Sequence, residues 1–348
     1  AAAGDEPSCP AGAAGCPGET MWAIQVSGVG EPAATASVAA VPRPSAGPRQ
    51  LLVRLLASPL HPCDFLFLRG QYLPPANGYP AIPGSEGVGE VVAAGEGAST
   101  PVGARVAWWH GYLHEGSWAE YTVLPEKDCF TVPASLPLGL AAQVVLNPLT
   151  MMGIVEELGP VQPGDYVLQN GANSACGKFL IQYLRWKGLR SINVVRRSEQ
   201  AAPLKALGAD EVISLDKEQL LERVDEITDS QKVKYAVDCV WGPGVNDMVA
   251  ATSARGRTVA YGLLDGPTAP LQVFPLLLGL RSVTGFAIPS WLPGQSKEQV
   301  QSLVDLAAAL LANGTVQLPF ESFSKDQWME AIKHAEAPGK AAKGIIFF

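Results

Sequence analysis

Residues 164–197, GDYVLQNGANSACGKFLIQYLRWKGLRSINVVRR, carry the residue types and spacing that could do chemistry. An apolar run, Tyr166–Leu168, enters a Gly/Asn/Ser turn. A helical stretch follows with Phe179, Leu180, Tyr183 and Leu184 on one face, and then a second apolar run, Ile192–Val195. Strand, tight turn, helix and strand make a βαβ unit. Such a unit sets a dinucleotide pyrophosphate on a helix N-terminus, where unpaired backbone N–H groups and the helix dipole meet its charge. The residue after the second strand decides which dinucleotide is held. A carboxylate there grips the ribose 2′-hydroxyl of NAD and repels a 2′-phosphate, whereas a guanidinium clamps the phosphate through two hydrogen bonds. Arg196 and Arg197 occupy that place, so the segment predicts NADPH. The competing reading makes both arginines solvated loop charges. The turn itself matches the GxGxxG pattern poorly, because Ala172 and Ser174 stand where glycines would, leaving Gly171 and Gly177.

The elements that must position this turn follow it. Strands are predicted at Tyr166–Gln169, Ile192–Val195, Glu211–Ser214, Tyr235–Val240, Thr258–Tyr261 and Ser282–Phe286, with helices between them at Gly177–Lys187, Gln200–Leu207 and Gly244–Thr252. About six strands with crossover helices make a doubly wound parallel sheet. Asn147-Pro148 opens a helix over Leu149–Leu158, which Gly159-Pro160 ends. Upstream, from Met21, short apolar runs (Leu51–Leu56, Gly87–Ala94, Arg105–Trp109) separated by Gly/Pro turns predict a β-rich domain. Downstream, an amphipathic helix over Lys297–Asn313 precedes a mixed tail ending in a strand, Gly344–Phe348; the tail from 289 is expected to return to the first domain.

The 348 residues suggest two domains, and 47% apolar with 17% charged residues describes a chain with ample core. A net charge of −8 and a pI near 5.1 argue against a nucleic-acid binder. No apolar run reaches the roughly 18 residues that span a bilayer, and Phe274–Leu280 falls far short. Cysteines at 9, 16, 63, 129, 176 and 239 form no CxxC pair, which disfavours structural zinc, and Cys176 and Cys239 are expected as buried, reduced thiols in the sheet layer. Residues 1–20, Ala/Gly/Pro-rich with three acidic and no basic residues, are expected to be disordered; they lack the features of a transit or secretory peptide, and a processed presequence remnant stays open.

The phrases LLASPLHPCDFLFLRGQY, IPGSEGVGEVVAAG, VLNPLT, PGDYVLQNGANSACGKFLIQ, GLRSINVVRR, KALGADEVI and KAAKGIIFF resemble the medium-chain dehydrogenase/reductase superfamily, and within it the mitochondrial trans-2-enoyl-thioester reductases, over about residues 21–348. The quinone oxidoreductases of the same superfamily are a more distant likeness. The resemblance implies an α/β fold: a GroES-like β-rich catalytic domain (21–145 and 289–348) plus a Rossmann doubly wound parallel-sheet cofactor domain (146–288). It implies NADPH-dependent reduction of enoyl-CoA or enoyl-acyl-carrier-protein thioesters in fatty-acid synthesis. A mitochondrial location (plastid or cytoplasm being the alternatives) and a homodimer paired through the edge strand Ser282–Phe286 follow from the same likeness.

Zinc-dependent relatives carry ligands at the positions of His61, Ser85 and Asn147; one imidazole, one hydroxyl and one amide make a poor zinc site, so no metal is expected. His61 stands where zinc-free reductases more often have Asn, and is expected either as a hydrogen-bonded loop histidine or as a donor near the cofactor or the substrate carbonyl. Reducing a conjugated thioester needs a hydride, donors for the developing oxyanion and a proton for the α-carbon. The resemblance assigns the proton to a tyrosine in a Gly-x-Tyr phrase, here Gly70-Gln71-Tyr72; the competing reading of Tyr72 is a pocket-rim residue. By the same likeness Asn147 meets the nicotinamide ribose, and Asn173, Ser174, Ala175 and Cys176 line the pyrophosphate turn. Arg196, Arg197 and Ser198 surround the 2′-phosphate. Tyr261, Gly262, Leu263 and Leu264, then Phe286, Ala287 and Ile288, form loops near the nicotinamide, and Lys343 closes the site. Ala175, Leu263 and Ala287 depart from the family pattern, as do Leu149 and Met152, which puts acyl-chain preference in question; Met152 and Trp291 are candidates for the acyl pocket. The readings weighed against the reductase are an NADPH-dependent quinone or enone reductase and a non-catalytic NADPH-binding or RNA-binding regulator.

Overall fold

A computed structural model of the chain describes residues 19–112 and 114–348. The disorder expected for residues 1–20 falls mainly on 1–18, outside the described residues. Glu19 and Thr20 do not follow it: Glu19 pairs with Arg43 at 2.6 Å and Thr20 opens a strand. Chain contacts divide the molecule into two compact units, one ending at Val145 and resuming at Phe320–Phe348, the other spanning Leu146–Pro319. Among the described residues no helix is long and apolar enough to cross a membrane.

The second unit holds the parallel sheet. Its six strands run in the order Glu211–Ser214, Arg190–Val195, Tyr166–Gln169, Val233–Asp238, Thr252–Ala260 and Ser282–Gly285, every neighbouring pair parallel. The order reverses between Tyr166–Gln169 and Val233–Asp238, which opens a crevice at their carboxyl ends. These central strands read as continuous apolar runs because helices cover both faces. Leu168, Ile192, Val194, Ile213 and Ala236 form one buried cluster. The helix Ala175–Trp186 buries Phe179, Leu180, Tyr183 and Leu184, as its spacing predicts.

The tail returns later than 289. Residues 289–319 belong to the second unit because the helix Lys297–Ala312 packs on the helix Leu146–Glu157, and Gln317 exchanges two hydrogen bonds with Gln182. Among the helices that escaped the sequence reading are Pro62–Leu68, Leu220–Ile227, Val273–Gly279 and Trp328–Glu336.

The first unit is built on a seven-stranded sheet. Lys343–Phe347 pairs with Gln50–Pro59, and Glu86–Ala94 pairs with Gln50–Pro59 on the other side. Trp108 and Trp118 are fully buried. Gly84 precedes Ser85 and Glu86 with φ +96°, and a Cβ there would lie 2.4 Å from Trp118, so only glycine lets the chain reach the strand at this point.

Leu168→Ala, at the centre of the parallel sheet, is expected to destabilise the second unit by about 2–5 kcal/mol. Trp186→Ala, on the half-exposed end of the helix, should change stability far less. Urea denaturation of the two variants compares them directly.

Candidate active site

The helix Ala175–Trp186 starts immediately beyond the crevice. Ser174 caps it, its hydroxyl accepting the Gly177 N–H at 3.0 Å, and its first turn holds no acidic residue. The positive end of the helix dipole is therefore unopposed by a carboxylate of its own. Gly171 has φ +56°, and a Cβ there would sit 2.3 Å from the Cys239 Sγ; a Cβ on Gly177 would sit 2.5 Å from the Ala172 carbonyl oxygen. These two glycines, kept where the pattern otherwise fails, let the turn fold flat against the neighbouring strand end.

The turn is bolted to that strand by side chains. Asn170 Nδ2 donates to Asp238 Oδ1 at 2.7 Å, and Asn170 Oδ1 accepts from Cys239 N at 2.8 Å. Asp238 Oδ1 also accepts the N–H groups of Val240 and Trp241. The expected pyrophosphate residues Asn173, Ser174, Ala175 and Cys176 stand together, half-buried, at the helix start. Cys176 is thus less buried than expected, because it lies in the first turn of the helix and not in the strand layer; Cys239 is buried. Asn147, on the helix Leu146–Glu157, accepts the Cys176 thiol at 3.3 Å. Its Nδ2 is buried with no partner among the described residues, a donor left over for a ligand.

The other expected contacts leave the carboxyl ends of further strands. Arg196 and Arg197 follow Arg190–Val195, both exposed. Arg197 Nε pairs with Glu199 at 2.8 Å, a surface pair of little energetic weight. Arg196 forms no ion pair among the described residues. Ser198 donates through its N–H and hydroxyl to Asp216, a carboxylate that the sequence reading did not include. Tyr261, Gly262, Leu263 and Leu264 leave Thr252–Ala260; the Tyr261 hydroxyl is held far above its usual range by burial and by the thiols of Cys239 and Cys176, while Leu263 and Leu264 are exposed. Phe286, Ala287 and Ile288 leave Ser282–Gly285. Phe286 and Ile288 point inward and Ala287 outward. Phe286 reaches Gly153, and with Trp291, Ala287 and Arg257 it lines a cleft of about 280 Å³.

The remaining expected residues gather in the first unit. His61 precedes the helix Pro62–Leu68, where Pro62 takes the first-turn place that needs no N–H and Asp64 Oδ2 accepts the His61 N–H at 2.6 Å. Asp64 Oδ1 accepts the Ser85 hydroxyl at 2.8 Å and the Tyr112 hydroxyl. Tyr112 stacks on Phe67 with centroids 3.9 Å apart and meets the half-buried Tyr72 edge-on at 6.0 Å. Burial, with Cys63 and Asp64 nearby, pushes the Tyr72 phenol up to about 12, so it keeps its proton throughout the neutral range. His61 is buried with both ring nitrogens engaged: Nε2 lies 2.6 Å from Glu86 Oε2 and Nδ1 lies 3.0 Å from Lys343 Nζ. Lys343, expected to close the cofactor site, is buried against the His61 loop and also donates to Leu60 O at 3.3 Å.

These donors do not fit zinc. Both nitrogens of His61 are committed, an ammonium faces one of them, and the Ser85 hydroxyl is turned to Asp64.

Burial lowers His61 and His110 to about 3, with Lys343 and His114 as the next causes. Between pH 6.5 and about 3 the folded chain leaves both neutral while the unfolded chain protonates them. The unfolded state then binds more protons, so stability falls as pH drops through this window. His110→Gln should reduce the slope of stability against pH there by up to about 1.4 kcal/mol per pH unit. Denaturation curves at a series of pH values check this, and an unchanged slope contradicts it.

Two family models match the chain: an alcohol dehydrogenase GroES-like domain over residues 47–134 and a zinc-binding dehydrogenase domain over residues 175–309. A mitochondrial enoyl-[acyl-carrier-protein] reductase of Caenorhabditis elegans is 33% identical over 281 residues, 79% of each chain. The Bos taurus protein of that name is 28% identical over 326 residues, 91% of this chain and 86% of its own. Among solved structures, a quinone oxidoreductase of Pseudomonas syringae pv. tomato superposes with TM-score 0.87 at 27% identity, covering 94% of this chain and all of the other. A mycobacterial protein solved with NADPH gives 0.83 at 25% identity, with 94% and 100% covered. GroES-like unit, Rossmann-type sheet and relatives together establish that the chain belongs to the medium-chain dehydrogenase/reductase superfamily.

Proposed function

We propose that this chain is an NADPH-dependent reductase of trans-2-enoyl thioesters, carried by CoA or by acyl-carrier protein. The observation that carries the reading is Arg196: a guanidinium at the end of the second parallel strand, in no ion pair among the described residues, where an NAD enzyme would have a carboxylate. The second unit would hold the coenzyme through the backbone N–H groups at Asn173–Cys176, through Arg196, Arg197 and Ser198, and through Asn147 and the loops at Tyr261–Leu264 and Phe286–Ile288. The resemblance adds Lys343 to this proposed set. When bound, NADPH supplies the hydride for the β-carbon. The proton for the α-carbon comes from Tyr72, whose phenol stays protonated where an enolate needs an acid. Tyr112 and Asp64 hold the surroundings of Tyr72 rigid and do not themselves donate to substrate, since both are buried.

A second reading, an NADPH-dependent quinone or enone reductase, shares fold and coenzyme and is favoured by the quinone oxidoreductases among similar structures. A homodimer is supported by the apolar helix Val273–Gly279, where Phe274 is 70% and Leu278 is 72% exposed, beside the edge strand Ser282–Gly285. A mitochondrial location is proposed from the names of the relatives alone.

Stopped-flow oxidation of NADPH by trans-2-hexenoyl-CoA should show turnover, with kcat/KM above that for a quinone; the reverse order favours the second reading. Tyr72→Phe should lower kcat by about 10²–10⁴-fold with little change in NADPH affinity. Paired Arg196→Ala and Arg197→Ala should weaken NADPH and leave NADH unchanged. Light scattering of the full chain should give twice the monomer mass.

A further inference from the structure

The strand Glu211–Ser214 lies beside Arg190–Val195, parallel to it, with Ser214 opposite Val195. The Leu215 N–H donates to the Val195 carbonyl at 3.0 Å and carries that register one residue past the strand. Asp216 therefore emerges at the same end of the sheet as Arg196, Arg197 and Ser198, one strand over. Its carboxylate takes both donors of Ser198: Oδ2 accepts the backbone N–H at 3.2 Å and the hydroxyl at 3.1 Å. The Ser198 N–H holds the Asp216 carboxyl below its usual range, so it is ionised at neutral pH. Asp216 forms no ion pair with Arg196 or Arg197 among the described residues.

Ser198 has one hydroxyl proton and one N–H proton to give. The oxygens of an ionised carboxylate and of a phosphate ester are both acceptors. Two anions thus want the same two donors, and they repel each other. A ribose hydroxyl is different, because it can donate to a carboxylate, which is how NAD enzymes read it. We infer that Asp216 is a specificity-determining residue that works against NADPH, holding the two Ser198 donors that a 2′-phosphate would take. This rests on the coenzyme reading above and deepens it: Asp216 sets how far Arg196 and Arg197 can separate NADPH from NADH. When NADPH binds, either Ser198 turns from Asp216 to the phosphate or the phosphate does without Ser198. Both cost NADPH, and neither costs NADH, which has no phosphate there. The chain does carry a carboxylate at this sheet end, on the strand after the one where NAD enzymes place it.

Asp216→Asn keeps the size of the side chain and one acceptor oxygen but removes the charge, and a neutral acceptor grips Ser198 roughly half as strongly. The Kd for NADPH, read by fluorescence titration of the full chain, should fall by about fivefold, with the Kd for NADH within about twofold of wild type. In a Ser198→Ala background the same substitution should tighten NADPH by about twofold or less, because only the backbone N–H is left to release. A folded Asp216→Asn protein with an unchanged or higher Kd for NADPH overturns the inference, the higher value meaning that Asp216 holds Ser198 in place for the phosphate. An equal gain for NADH, or the same gain with and without the Ser198 hydroxyl, overturns it too. Asp216 is exposed, so its variants should fold. Asp216→Ala, with no acceptor at all, is read by the same criteria and should gain at least as much. Those failures leave the coenzyme reading standing; a wild-type chain that binds neither coenzyme overturns both.

Discussion

Whatever this chain offers an anionic ligand depends on the close approach of the Asn170–Ser174 turn to the end of the strand Val233–Asp238. Parallel strands leave their terminal carbonyl and N–H groups without ladder partners, and a loop leaving such an end must satisfy them locally. Asn170 does this by spanning the switch point, donating to Asp238 and accepting from Cys239. With the turn tied down, Gly171 and Gly177 bring backbone within van der Waals reach of backbone and thiol, and the helix Ala175–Trp186 is aimed at the crevice. Replacing Gly171 would force apart the surfaces that those hydrogen bonds hold together, and a Cβ on Gly177 would strike the Ala172 backbone within the turn. The anion site proposed for this turn thus rests on packing as much as on sequence motif, since the turn is held in place with Ala172 and Ser174 standing where the pattern has glycines.

The first unit solves a different problem. It buries Asp64, Glu86, His61 and Lys343 among aromatic and aliphatic residues, where an unpaired charge would be intolerable. Each carboxylate oxygen described here has a donor, and the two carboxylates divide the work. Asp64 gathers the His61 backbone with Ser85 and Tyr112, and so fixes the surface against which Tyr72 rests. Glu86 gathers the His61 ring and Val145. His61 belongs to both networks, by its backbone and by its ring, and couples the helix Pro62–Leu68 to the strand Lys343–Phe347 at the other end of the chain. An asparagine would reach one partner of that ring and not the other.

Much of this was legible in the sequence. The central strands at Tyr166–Gln169 and Arg190–Val195 declare themselves as apolar runs, whereas Thr252–Ala260 starts six residues before the expected Thr258 because its first half, TSARGR, is polar. Arg196 and Arg197 were recognisable from their place after the second strand, and Gly171 and Gly177 from theirs in the turn. Long-range partners were not legible. His61 meets residues 25 and 282 positions away, and no local pattern announces either. The helix Pro62–Leu68 had a signal, Pro at its first position and Asp two residues later, but the apolar residues around it read equally well as strand. The domain boundary near 289 was misplaced because the helix Lys297–Ala312 is amphipathic and would suit either unit; only its packing on Leu146–Glu157 decides. Arg197 pairs with Glu199 and Ser198 donates to Asp216, so the charged loop partly neutralises itself, in the second case through a partner that lies beyond any local pattern.

The central proposal is electrostatic: the guanidinium groups after the strand Arg190–Val195, with no carboxylate in their place, would face the adenosine ribose. Calorimetric titration of the full chain with NADPH and with NADH, at low and at moderate salt, tests it most directly. The account predicts that NADPH binds at least about tenfold more tightly and that salt narrows the gap, since screening weakens the contact to a 2′-phosphate. Equal affinity for the two coenzymes at low salt would contradict it.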